Sequence, residues 1–249
     1  MSLKDKTIVV TGGSRGLGLG LVEALVDQGA KVTVVARDQA ALTAAEQRLG
    51  VAVIPADVTD EGAAQRILTD VRPEILVLNA GATPRMGRLD QVSWADFTVP
   101  WETDVKAGLY WLQAALNLPL KPGSRVLVGS SGAAVNGSPM SGGYAGAKRM
   151  LWLMASYANA VSAELDLGIR FQAIVPRQMS ADGGVGRTAS EFYARRKGIT
   201  QEQFLAGFGK PLPARDFGEY LVSILTEPQY EDAPAFGING DQGIVALGA

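Results

Sequence analysis

The chain has 249 residues, with 23 basic and 25 acidic side chains and a formal net charge of −2. That balance gives no electrostatic case for nucleic acid or an anionic membrane as partner. The absence of both cysteine and histidine excludes disulfides, thiolate nucleophiles, Ser–His couples and the usual zinc sites, so proton chemistry falls to Tyr, Lys, Asp, Glu or water.

In chain order, "MSLKDKTIVV" runs straight into an apolar segment, without the basic region, apolar region and cleavage site of a signal peptide. No apolar run approaches the roughly 18 residues of a membrane span. A soluble cytoplasmic protein is expected. Short β-branched runs at 7–11, 31–36, 51–56, 74–80, 125–131 and 169–175 read as buried strands. Amphipathic segments at 17–28, 39–49 and 61–71 separate the early ones. This alternation predicts βαβ units in a three-layer α/β fold, a doubly wound parallel sheet with helices on both faces, formed by residues 1–249 as one domain.

Two longer helices are expected, one starting near Pro100 and running to about Leu118, the other from near Ser141 to before Gly168. The centre of the second, "MLWLMASYA", is apolar on nearly every face, so one side should meet the sheet and the other a second subunit. The segment at about 180–212 breaks the rhythm, and a late insertion of this kind is expected to cover the substrate cleft.

The turn "TGGSRGLG" (11–18) follows the first strand and opens the first helix. Its glycines let backbone N–H groups approach a diphosphate at a helix N-terminus, which nominates Gly12, Ser14, Arg15, Gly16, Leu17 and Gly18 as cofactor contacts. The second strand ends in Ala36 and Arg37 instead of an acid that would bond a ribose 2′-hydroxyl. Arg15 and Arg37 suit a 2′-phosphate, so NADP(H) is favoured over NAD(H), with Asp38 pointing elsewhere. "ADV" closes the third strand, where Asp57 and Val58 would meet the adenine; "NAG" closes the fourth, where Asn79, Ala80 and Gly81 let backbone approach the cofactor.

In "YAGAK", Tyr144 and Lys148 stand one helical turn apart on one face. A free phenol has a pKa of about 10, so half ionisation at neutral pH requires that value to fall by about three; a nearby ammonium lowers it by about one to three, and a cationic nicotinamide ring can add the rest. Ser131 ends the fifth strand, where its hydroxyl can bond the carbonyl oxygen that Tyr144 protonates.

These motifs, in this order over nearly the whole chain, resemble the short-chain dehydrogenase/reductase family in its compact branch. The resemblance implies a Rossmann-type fold, hydride transfer between nicotinamide and a small carbonyl or alcohol substrate, and a homodimer or homotetramer built on the two long helices. It maps the catalytic Ser, Tyr and Lys onto Ser131, Tyr144 and Lys148, with Lys148 also binding the nicotinamide ribose. Three positions depart from it. Asp104 stands in "TDVKAG" where an Asn usually holds a water beside the Lys, and a water-spaced arrangement is expected to persist. Pro176 flanks the nicotinamide carboxamide, but Arg177 replaces the usual Gly and is a candidate for an acidic substrate or the diphosphate. Ala181 replaces a Thr that bonds the carboxamide, leaving Ser180 or Gln178 as substitutes.

Candidate pocket residues are Gly137, Ser138, Met140, Gln178 and Met179, with Arg85 and Trp94 from the loop after "NAG". The leading function is an NADP(H)-dependent oxidoreductase. A non-catalytic NADP-binding regulator on the same fold is the alternative. A sugar-nucleotide epimerase or dehydratase fits less well, since such relatives are usually longer and differ in glycine spacing.

Overall fold

In the computed structural model, which describes residues 2–248, the β-branched runs pair as strands because both of their faces are covered by apolar helices. Strands β1 (Thr7–Thr11), β2 (Lys31–Ala36), β3 (Ala52–Pro55), β4 (Ile75–Leu78), β5 (Arg125–Gly129), β6 (Arg170–Pro176) and β7 (Ala235–Asn239) are parallel. Strand β8 (Gly243–Leu247) pairs antiparallel to β7 at the edge. The order β3-β2-β1-β4-β5-β6-β7-β8 reverses direction at β1 and β4, which opens a crevice beyond their C-terminal ends. This is the doubly wound Rossmann-type sheet read from the sequence.

Helices α1 (Gly16–Asp27), α2 (Gln39–Leu49) and α3 (Glu61–Val71) form the early crossovers. Asp38 and Asp60 accept backbone N–H groups from Ala41 and Gly62, capping α2 and α3, and Gly50 ends α2 in the left-handed region at φ +67°. The expected helix at Pro100 begins earlier, as α4 (Trp94–Pro100) capped by Ser93, so the proline lies inside it and not in its first turn. Pro100 lacks an N–H and cannot continue the bonding pattern, and a five-residue π turn (Trp101–Val105) intervenes before α5 (Lys106–Asn117). After the short α6 (Ala133–Asn136), α7 (Tyr144–Glu164) is the long apolar helix, starting three residues later than expected. The segment after β6 forms α8 (Gly184–Lys197) and α9 (Gln201–Ala206). Helix α10 (Ala214–Thr226), β7 and β8 carried no expectation from the sequence; Gly237 breaks the apolar run of β7, though not the strand, and β8 is a half-exposed edge.

Alternating strand residues build two cores. Val9, Leu76, Val126 and Phe171 face Trp111, Leu151 and Ala155, while Ile8, Val10, Leu127 and Ile174 face Leu21, Leu25, Leu221 and Ile224. The tightest helix contact joins α1 to α10. A Cβ placed on Gly20 would lie 2.0 Å from the Ala214 carbonyl oxygen, and one on Gly218 would lie 2.3 Å from that of Gly20. Backbone thus packs on backbone, directly behind the glycine-rich turn. Among the described residues, no helix is long and apolar enough to cross a membrane.

Candidate active site

The turn from β1 to α1 needs its glycines for two different reasons. Gly12 and Gly16 adopt φ +68° and +56°, and a Cβ on Gly18 would lie 2.3 Å from the Gly12 carbonyl oxygen and 2.5 Å from the Asn79 amide nitrogen. The α1 N-terminus, with Arg15 in the cap position and no side-chain cap, leaves its first N–H groups free for an anion. Thr11 locks this turn to β4. Its hydroxyl donates to the Val77 carbonyl at 3.3 Å and accepts the N–H groups of Asn79 and Ala80 at 3.0 and 3.2 Å. The Asn79 amide in turn donates to the Gly12 carbonyl at 3.2 Å. Thr11 carried no role in the sequence reading, although it opens the glycine motif. These same bonds explain why β4 stops at Leu78: Asn79 and Ala80 turn their N–H groups away from the ladder.

One cleft of about 790 Å³ is lined by every catalytic and cofactor-binding residue expected from the sequence except Asp104, from Gly12 through Ser131, Tyr144 and Lys148 to Pro176. At one end, Arg37 lies 3.7 Å from the Asp57 carboxylate, both exposed. The Thr59 amide and hydroxyl, against slight burial and with help from Arg37, hold the Asp57 carboxyl below the usual carboxylate range. Asp38 was expected to point elsewhere; one of its carboxylate oxygens accepts the Ala41 N–H as the α2 cap, but the residue lines the cleft beside Arg37 because it follows β2 directly.

At the other end, α7 begins with Tyr144 and presents Lys148 one turn later, its Nζ 5.7 Å from the phenol ring centroid and 3.5 Å from the Gly129 carbonyl. Ser131 follows β5, its hydroxyl accepting the Ala133 N–H at 3.2 Å. The neighbouring Ser130 was not singled out from the sequence; its hydroxyl donates to the Lys148 carbonyl at 2.7 Å and ties α7 to β5. The Trp101 indole donates to the Gly143 carbonyl at 3.1 Å, bracing the residue before Tyr144.

Asp104 lies behind the cleft. The π turn aims it inward, where one carboxylate oxygen accepts the Ala82 N–H at 2.7 Å and the other meets the Lys148 ammonium at 2.9 Å. Direct contact replaces the water-spaced arrangement expected, because the carboxylate reaches the ammonium outright. Burial by itself presses Lys148 down, but the Asp104 carboxylate and then the Tyr144 phenol outweigh it and hold the ammonium above the ordinary lysine range.

Around the mouth, Gly137, Ser138, Gln178 and Met179 line the cleft, whereas Met140, Arg85 and Trp94 do not. Trp94 is 78% exposed and Arg85 is paired loosely with Asp96. Gln178 is committed elsewhere: its amide nitrogen donates to the Phe208 and Lys210 carbonyls and its oxygen accepts the Gly240 N–H. The Ser180 hydroxyl accepts the Asp182 N–H. Arg177 lines the cleft, its stem against Gly237. From α8, Tyr193 also reaches in, bonding Ser138 and the Met140 N–H at 3.2 Å each and stacking on Phe204.

The family model described as short chain dehydrogenase matches residues 6–190. L-fucose dehydrogenase of Rattus norvegicus is 44% identical over 85 residues, 32% of each chain. NADPH-dependent pterin aldehyde reductase of Arabidopsis thaliana is 30% identical over 182 residues, 69% of this chain and 74% of that one. Among solved structures, one titled as NAD+-bound xylitol dehydrogenase superposes with a TM-score of 0.81 at 18% identity, covering 94% of this chain and 97% of that one, a likeness of fold.

Removing one member of a buried ion pair strands the other. Asp104→Ala is expected to cost about 3–5 kcal/mol in urea unfolding at neutral pH. Lys148 is raised in the folded chain, so its contribution is full below the unfolded lysine value of about 10.4 and is lost only as pH climbs through the folded value. The cost should therefore persist across neutral and mildly alkaline pH; a cost under about 1 kcal/mol would mean that Asp104 does not compensate the ammonium.

Proposed function

The chain belongs to the short-chain dehydrogenase/reductase family of oxidoreductases, and on that premise we propose that it is an NADP(H)-dependent carbonyl reductase or secondary-alcohol dehydrogenase. The observation that carries the reading is the meeting of Ser131, Tyr144 and Lys148 in the cleft that also holds the glycine turn. The cradle fits a dinucleotide: positive φ at Gly12 and Gly16, no room for a side chain at Gly18, and an uncapped helix N-terminus. Gly12, Ser14, Gly16, Leu17 and Gly18 would hold the diphosphate, Arg15 and Arg37 a 2′-phosphate, Asp57, Val58, Asn79, Ala80 and Gly81 the adenosine side, and Tyr144, Lys148 and Pro176 the nicotinamide side. When bound, the nicotinamide exchanges hydride with the substrate carbon.

The chain's own groups move the proton. In reduction, Tyr144 gives its hydroxyl proton to the substrate oxygen; in oxidation its phenolate takes the alcohol proton. Ser131 holds that oxygen by a hydrogen bond, and the Lys148 ammonium stabilises the phenolate. Asp104 acts through Lys148, fixing the ammonium. Helices α8 and α9 cover the substrate, since Tyr193, Lys197 and Phe204 line the cleft. A carbonyl panel followed by NADPH absorbance tests this reading. Tyr144→Phe is expected to lose at least about a hundredfold in kcat while binding NADPH unchanged. A regulator that binds NADPH without chemistry would show no turnover with any carbonyl.

The NADP preference is supported by Arg15, exposed and without an ion pair among the described residues, and by the loose Arg37–Asp57 pair, which leaves Arg37 able to turn to a phosphate. The likeness to a relative named for NADPH agrees. Replacing both arginines by alanine is expected to raise KM for NADPH about 10–100-fold while leaving KM for NADH unchanged. Equal effects on both cofactors would remove the preference.

The outward faces of α5 and α7, with Leu109, Tyr157 and Val161 each more than a third exposed, are proposed as the contact of a homodimer or homotetramer. Sedimentation equilibrium is expected to give two or four copies, and Tyr157→Glu with Val161→Glu to give fewer; a monomeric native chain would refute the contact.

A further inference from the structure

We propose that Asp104 sets the charge of the Tyr144–Lys148 cluster so that the phenol keeps its proton across neutral pH, which suits the site to carbonyl reduction there more than to alcohol oxidation. The proposal rests on the assignment of Tyr144 as the proton-transfer group. It makes Asp104 a positioning residue, acting on the reacting oxygen through Lys148.

The pair is enclosed on every side but the cleft, which Lys148 lines. The side chains of Asp104 and Lys148 are 0% and 8% exposed. Ala82 fixes one carboxylate oxygen and Lys148 meets the other. Backbone seals the pair: a Cβ on Gly81 would lie 2.9 Å from the Asp104 oxygen and 3.2 Å from the Lys148 Nζ. The π turn points Asp104 into this space, because an ordinary helical turn after Pro100 would place the side chain on another bearing.

Charge counting gives the consequence. With the phenol protonated, Lys148 and Asp104 sum to zero. Once the proton has left, the cluster carries a net negative charge on the wall of the cleft. The neutral amide that the family resemblance leads one to expect would instead leave +1 before and zero after, which favours release. An oxidised nicotinamide ring brings a positive charge of its own and a reduced one does not, so the retention of the proton is strongest in the complex that performs reduction.

Other ionisable groups around the cluster do not replace this balance. Arg177 beyond β6 and Tyr193 and Lys197 on α8 line the cleft mouth. Lys106 on α5 lies over Tyr110, Arg149 on α7 lies over Trp152, and the Lys197 ammonium lies over Phe204. Asp96 on α4 pairs with Arg85, Glu102 on the π turn is exposed, and Arg125 and Arg170 start β5 and β6 at the far end of the sheet. Asp104 is the carboxylate in contact with Lys148.

The test compares pH–rate profiles in both directions for the native chain and Asp104→Asn, whose side-chain oxygen can keep the Ala82 bond. The acid limb of alcohol oxidation is expected to move down by about one pH unit, and oxidation relative to reduction at neutral pH to rise about tenfold. Superimposable profiles would overturn the proposal, because a purely structural role changes rates without moving the limb. A second measurement needs neither turnover nor that variant. The ultraviolet phenolate absorbance of the native chain without cofactor, less that of Tyr144→Phe, should stay absent at neutral pH. Its appearance there would overturn the proposal even if no substrate had been found.

Discussion

Strands hydrogen-bonded in parallel must all end on the same edge of the sheet, and most of what this molecule does is set by that constraint. The glycine turn after β1, the Arg37 position after β2, Asp57 after β3, the Asn79 segment after β4 and the serines after β5 are far apart along the chain. Each is the first residue group beyond a strand, so the sheet delivers them to one crevice. Helix α7 then returns with its N-terminus at the same edge, which is why Tyr144 and Lys148 meet the serines. Thr11 and Asn79 stitch the point where the strand order reverses, so the crevice has fixed walls rather than two loose loops.

Within this frame the Asp104–Lys148 pair is a costly element. A lone ammonium so deeply buried would cost several kcal/mol, and pairing it with a carboxylate recovers most of that only if the geometry is held. The chain holds it from three directions: the π turn, the Ala82 N–H and the Gly81 backbone. A helical irregularity that weakens α4–α5 locally thus serves the site, and Pro100 is its covalent cause. Trp101, on the same turn, braces Gly143, so one irregular turn positions both the ammonium and the start of the helix that bears the phenol.

What could be read in advance divides along the range of the interactions. β1, β2, α2 and α3 fall where the sequence places them, since β-branched runs and the caps Asp38 and Asp60 act over a few residues. The cleft lining was legible because it lies at strand ends, which periodicity locates. Asp104 was recognised as a departure, but its direct grip on Lys148 was not, because that contact joins residues far apart and depends on a backbone bond pattern without a composition signature. Gln178 read as a pocket group from its position after β6, yet three backbone partners 30 to 62 residues away claim its amide. Arg85 and Trp94 were placed in the pocket by proximity to "NAG", and the loop carries them outward. α10 was amphipathic and went unread, while β8 had only an edge to reveal.

The close backbone contact of Gly20 with Ala214 and Gly218 has a consequence for how the molecule is made. The helix behind the glycine-rich turn is synthesised well before its packing partner. During translation, the face of α1 that carries Leu21 and Leu25 must wait for Leu221 and Ile224 to emerge from the ribosome. The support behind the glycine-rich turn is therefore completed only after α10 has emerged. A nascent chain halted before α10 would leave Leu21 and Leu25 without the Leu221 and Ile224 side chains that cover them.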